Sequence, residues 1–143
     1  MRLINSVEEM REAGEELGKK LKAGDLILLS GPLGSGKTAL TSGIAAALGF
    51  KNITSPTFVI SKIYSGKPNL VHVDAYRLQG QVAALFDELD LESYLPSSVT
   101  VVEWGEGFVE RIADKYLEIQ LNFGDGENQR TLEIIDHGSG ISI

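Results

Sequence analysis

Cysteine is missing from this chain altogether, which excludes disulfides, cysteine-ligated zinc, iron–sulfur clusters and a thiol nucleophile. Positive charge is scarce as well. Thirteen Lys and Arg stand against twenty Asp and Glu, a formal net charge of −7, with an isoelectric point near 4.8. Attraction to a phosphate backbone therefore cannot drive strong autonomous binding to nucleic acid, and any RNA in its biology would be held by another protein. Long apolar runs are lacking too: no stretch approaches the ~18 residues of a membrane span. The opening MRLINSVEEMREAG carries no apolar signal core. A cytoplasmic protein with no membrane partner is expected. What remains is material for one core, since 43% of 143 residues are hydrophobic, and a single domain over 1–143 is expected.

No repeat, low-complexity tract or linker interrupts the chain. Ser6-Val-Glu-Glu9 has the capping-box pattern, and Val7, Met10, Ala13, Leu17 and Leu21 follow at helical spacing, so the first helix runs to about Gly24. Leu26 to Leu29 is an apolar run of the length of a buried parallel strand, and Thr38 to Leu48 reads as a helix ended by Gly49. Thr57 to Tyr64 and Leu70 to Asp74 flank Ser65-Gly66-Lys67-Pro68 as a hairpin. Gly80 to Leu89 and a turn near Leu91 to Tyr94 look helical, closed by Pro96. Val99 to Val102 forms an apolar strand, with a helix from about Gly107 to Ala113 after it. A second hairpin, Tyr116 to Asn122 with Arg130 to Ile135, ends the chain. The fold class is α/β: a three-layer domain of the P-loop NTPase type, with parallel central strands near 26–29, 70–73 and 99–102 and antiparallel hairpins added.

Residues 31–38 read GPLGSGKT, a complete GxxxxGK[ST] phosphate loop between that strand and that helix. Gly31, Gly34 and Gly36 allow backbone conformations closed to other residues, so successive N–H groups point into one concavity, to which Pro32, Leu33 and Ser35 also contribute main chain. Lys37 is placed to reach the β- and γ-phosphates, and the Thr38 hydroxyl to enter a Mg²⁺ shell. The helix N-terminus favours the same anion. A nucleoside polyphosphate with Mg²⁺ is the expected ligand.

Two apolar strands end in an acid: Leu70-Val-His-Val-Asp74 and Val99-Thr-Val-Val-Glu103. Either carboxylate would stand at the C-terminal edge of a sheet beside the phosphates, where it holds Mg²⁺ or polarises an attacking water, and spacing does not choose between them. Trp104, the only tryptophan, follows Glu103 and by strand alternation points to the other face. Thr54-Ser-Pro-Thr57-Phe58 occupies the position of a loop that senses the γ-phosphate in several nucleotide hydrolases, with Thr57 offering its hydroxyl. His72 reads as a core histidine or one packed behind the site, and His137 as chemically idle.

The set GPLGSGKT (31–38), SPTF (55–58), HVDAYRL (72–78) and VVEW (101–104), in this order, resembles the bacterial TsaE family, formerly YjeE. The resemblance covers nearly the whole chain. It implies a P-loop ATPase of tRNA threonylcarbamoyladenosine formation, weakly active alone, that binds the TsaB–TsaD complex. There it would support threonylcarbamoyl transfer to adenosine 37 of tRNAs reading ANN codons, meeting tRNA only through that complex. Residue by residue, Thr38 and Glu103 become Mg²⁺ ligands, Lys37 the β/γ-phosphate contact, and Thr57 part of a loop responsive to nucleotide state. Asp74 becomes a residue needed for hydrolysis, and Trp104 a neighbour of the site or of the partner interface. Ser6 and Arg130 resemble family positions near the nucleotide. Pro32 departs from the acidic residue of many members and leaves the phosphate-binding glycines untouched. A small-molecule kinase would use the same loop but needs cations over the transferred group, and Arg2, Arg11, Arg77, Arg111 and Arg130 form no cluster in the sequence. A GTP-dependent switch would need a guanine-reading NKxD or a DxxG, and neither occurs.

Overall fold

A computed structural model describes residues 1–54, 61–75, 90–106 and 109–142. The elements in chain order are β1 (Arg2–Ile4), α1 (Val7–Gly18), β2 (Leu26–Ser30), α2 (Lys37–Ala47), β3 (Ser61–Tyr64), β4 (Asn69–Asp74), a short α3 (Leu91–Tyr94), β5 (Ser98–Glu103), β6 (Tyr116–Phe123) and β7 (Arg130–His137). Single 3₁₀ turns follow α3 (Leu95–Ser97) and β5 (Val109–Arg111). All seven strands form one sheet in the order β1-β7-β6-β2-β5-β4-β3.

Parallel pairing joins β6 to β2, β2 to β5 and β5 to β4. Antiparallel pairing adds β3 at one edge, and β7 then β1 at the other. The three parallel strands expected from their apolar runs are adjacent. Two features carry too little pattern to be read: β1 is only three residues long, and β6 looks like half of a hairpin yet also continues the parallel set. Its alternation explains both roles. Leu117, Ile119 and Leu121 are buried, whereas Glu118 and Gln120 between them are partly exposed, so β6 has one core face and one polar face.

Both long helices cover one face, over a core that includes Ile27, Leu29, Val99, Val101, Leu117 and Ile119. The other face packs Leu26, Leu28, Val71, Val73 and Val102 against Leu91 and Val109. Helix α1 starts where the capping box places it: Ser6 Oγ accepts from Glu9 N at 3.1 Å. The Glu9 carboxylate accepts from Asn5 N at 2.8 Å, one residue earlier than the box requires. The helix stops at Gly18 rather than near Gly24. Lys20 and Leu21 N–H groups bond the Leu17 and Gly18 carbonyls, so a tight turn, not a further helical turn, buries Leu21. Among the described residues the expected helix over 107–113 is only a 3₁₀ turn, while the expected helix over 80–89 and the Thr57 end of the first hairpin lie outside them.

Helices α1 and α2 touch through backbone. A β-carbon on Gly43 would collide with the Arg11 carbonyl, and one on Gly14 with the Leu40 carbonyl. Neither obstacle is a side chain that can swing away.

Candidate functional site: a phosphate loop at the C-terminal sheet edge

The parallel strands β2, β4 and β5 finish side by side. Leu29 pairs with Glu103, and Asp74 pairs with Glu103 from the other side, so Glu103 lies between the phosphate-loop strand and Asp74. Leaving β2, the chain turns at Gly31 (φ 147°) and enters α2 through Gly36 (φ 108°), conformations that favour glycine. Ser35 N donates to Pro32 O at 3.2 Å, closing the loop. No side chain caps α2, which leaves its first N–H groups for an anion. The Ser35 hydroxyl is buried without a hydrogen-bond partner among the described residues.

Lys37 is buried. Its ammonium donates to the Gly31 carbonyl at 2.5 Å and stands 3.7 Å from the centre of the Trp104 ring. Burial pushes its pKa below the ordinary lysine value, against the opposing pull of Glu103, Glu106 and Asp74. A cation held this way gains most from an incoming polyanion. Trp104 itself corrects the alternation argument. Its backbone adopts φ 61°, so the chain has left the strand geometry and the ring faces the same cleft as Lys37.

That cleft, about 360 Å³, is lined by Leu33, Gly34, Gly36, Lys37, Thr38, Asp74, Glu103 and Trp104. On the other side of Gly34 and Gly36 lies a second cavity of about 280 Å³, bordered by Asn5, Ser6, Met10, Ala39 and Arg130. The phosphate loop thus separates two cavities, and the second unites Ser6 and Arg130 from opposite ends of the sequence. Arg130 Nε donates to Gly34 O at 3.2 Å, and its guanidinium lies 4.9 Å from the Phe123 ring centre. Met10 packs against Gly36, where a β-carbon would fall 2.8 Å from its methyl. A larger depression of about 410 Å³ lies between α1 and β7, with its Arg2 and Glu16 engaged with each other at 2.8 Å.

The donor set suits Mg²⁺ bound to a nucleotide. Thr38, Asp74 and Glu103 offer hard oxygen atoms beside one lysine, and Mg²⁺ is commonly held by one or two carboxylates plus phosphates. No group of three or more His, Cys, Asp or Glu converges among the described residues, so the site is not an all-protein cation cage. Thr57, and Arg77 of the HVDAYRL segment, lie outside those residues.

A family model for threonylcarbamoyl adenosine biosynthesis protein TsaE matches residues 4–132. The chain belongs to the TsaE family. Among curated members, the tRNA threonylcarbamoyladenosine biosynthesis protein TsaE of Streptomyces coelicolor is 48% identical over 122 residues, 82% of each chain. That of Treponema pallidum is 34% identical over 138 residues, 92% of this chain and 99% of its own. A crystal structure of Bacillus subtilis YdiB superposes with a TM-score of 0.78 at 30% identity, covering 96% of this chain and 84% of that one. These matches place the GPLGSGKT loop in a TsaE fold of the P-loop NTPase type.

Two contacts escaped the sequence reading. His72, read as a core histidine or one packed behind the site, lies 2.6 Å from Glu103 through Nε2, a partner that the reading did not name. His137 is not idle: Nε2 is 2.9 Å from Glu118 Oε1, and the ring stacks on Tyr116. The signal for the first was present in the period of β4, which puts His72 and Asp74 on one face. The second depends on the β6–β7 register and had none.

Proposed function

We propose that this TsaE-family chain is a Mg²⁺-dependent ATPase that binds the TsaB–TsaD complex and supports threonylcarbamoyl transfer to adenosine 37 of tRNAs reading ANN codons. One observation carries the proposal. Lys37, Thr38, Asp74, Glu103 and Trp104 line a single cleft at the C-terminal sheet edge, with a second cavity across the phosphate loop for the nucleoside.

Within that cleft, loop N–H groups and the start of α2 bind phosphate oxygens, and Lys37 exchanges the Gly31 carbonyl for the β- and γ-phosphates. Thr38 and Glu103 would hold Mg²⁺, which when bound neutralises charge on the phosphates. Asp74 orients the water that attacks phosphorus and draws its proton. Ser6 and Arg130 border the nucleoside side. Thr57 stands in a segment suited to sensing the γ-phosphate, so that ATP favours the partner-bound state and hydrolysis releases it. The acidic charge fits a protein that leaves tRNA to its partners.

The test is ATP turnover with and without the TsaB–TsaD complex and tRNA. Stimulation by the complex is expected, together with a loss of at least ~10²-fold in Thr38→Ala and Glu103→Ala. Unchanged turnover in those two variants, or no response to the complex, would overturn the proposal.

A further inference from the structure

His72 is fully buried on β4. Its Nε2 lies 2.6 Å from Glu103 Oε2, and Glu103 is itself only 5% exposed. Strand register makes this contact. With β4 and β5 parallel, His72 stands beside Val101 and Asp74 beside Glu103, so His72 and Glu103 project from the sheet face that α2 covers. The other ring nitrogen, Nδ1, is buried without a hydrogen-bond partner among the described residues.

This asymmetry fixes the tautomer. An ionised carboxylate can only accept, so the nitrogen that meets it must carry a proton. The opposite tautomer would bury a bare lone pair against a carboxylate oxygen and strand an N–H at Nδ1, two unmatched groups instead of one.

We infer that His72 is a positioning residue, whose Nε2–H holds one oxygen of Glu103 and so aims the carboxylate for the nucleotide-bound cation. It touches neither nucleotide nor cation. Glu103 lines the cleft beside Lys37 and Thr38, so a hydrogen bond to one of its oxygens sets how the carboxylate faces that cleft. Partners of this kind behind a metal ligand typically govern affinity by 10- to 100-fold. The inference rests on the Mg²⁺–ATP reading above for the identity of the cation.

The experiment measures binding of a non-hydrolysable ATP analogue by calorimetry, with Mg²⁺ and again with a chelator. In His72→Leu the Mg²⁺-dependent gain in affinity should fall by roughly 10-fold or more while chelator binding stays at the wild-type value. His72→Gln, which presents an amide N–H near the Nε2 position, should recover most of the gain. Equal loss with and without Mg²⁺, or no loss in His72→Leu, overturns the inference. If His72→Leu does not fold, nitrogen-15 NMR of the wild-type ring decides: a proton on Nε2 is expected, and a proton on Nδ1 alone overturns it. Wild-type protein that ignores Mg²⁺ and the analogue would instead sink the functional reading, and the role assigned to His72 with it, whatever the ring tautomer.

Discussion

Trp104 combines a backbone conformation unfavourable to a bulky side chain with a ring set against the phosphate-loop lysine. A non-glycine residue in the left-handed region costs about 1–2 kcal/mol, and a lysine over an aromatic face returns about 0.5–2 kcal/mol. The ring also packs against the core cluster that contains Leu28, Val73 and Val102, so Trp104→Gly should lower the urea midpoint and weaken ATP binding, because Lys37 loses the surface that holds it; unchanged affinity would refute this. Glu118 supplies a pH-dependent counterpart away from the cleft. Burial alone would raise its pKa, but donors on Gln120, His137 and Ser30 outweigh that and bring it below the ordinary 4.5. A lowered carboxyl stabilises the fold above its unfolded value and loses that contribution as pH falls through the folded value. Glu118→Gln should thus be about 1 kcal/mol less stable than wild type near neutrality, with the gap closing below about pH 4. Denaturant titrations at the two pH values check it.

At the scale of elements, the contact between α1 and α2 matters most. Because Gly43 and Gly14 each face a main-chain carbonyl, the helices cannot slide without breaking the contact. Met10 on α1 also presses on Gly36 of the phosphate loop. Gly43→Ala should push the pair apart, costing about 1–3 kcal/mol and enlarging the cavity that Ser6 borders. Both the urea midpoint and the nucleotide affinity should fall; retention of full affinity would separate the helix contact from the site. Ser6→Ala, by contrast, leaves the helix contact in place and removes the cap, which should cost about 1 kcal/mol of stability.

Legibility differs between elements for physical reasons. Strands β2, β4 and β5 are buried on both faces and read as apolar runs, and the glycines of the phosphate loop are required by their dihedrals, so both stand out. The acids at residues 74 and 103 were found because a strand end is visible when the apolar run stops. Alternation puts Trp104 on the wrong face because it holds only while the chain stays extended, and nothing in Glu-Trp-Gly announces the left-handed turn. Strand β1 and the pairing of β6 with β2 depend on long-range register, which local composition does not encode. Likewise Arg130 reaches Gly34 across 96 positions of sequence, and only the resemblance pointed to it.

On the scale of the whole molecule, a net charge of −7 sets the terms of association. The chain alone should show no appreciable, salt-sensitive retention of tRNA in filter binding, whereas the assembled TsaB–TsaD complex should retain it. Tight tRNA binding by the isolated chain would contradict the proposed division of labour. No described helix is long and apolar enough to cross a membrane.

The antiparallel course of β7 has a temporal meaning. Because this strand begins where the parallel strands finish, its first residue, Arg130, returns to the phosphate loop. The cavity beside that loop has Ser6 on one wall and Arg130 on another, so its rim is assembled from two segments made far apart in time. A chain emerging from the ribosome completes its phosphate loop well before Arg130, so the wall that Arg130 adds to the cavity is set later. On the proposed reading, a chain cut short of Arg130 would keep its phosphate loop but lack one wall of the nucleoside cavity.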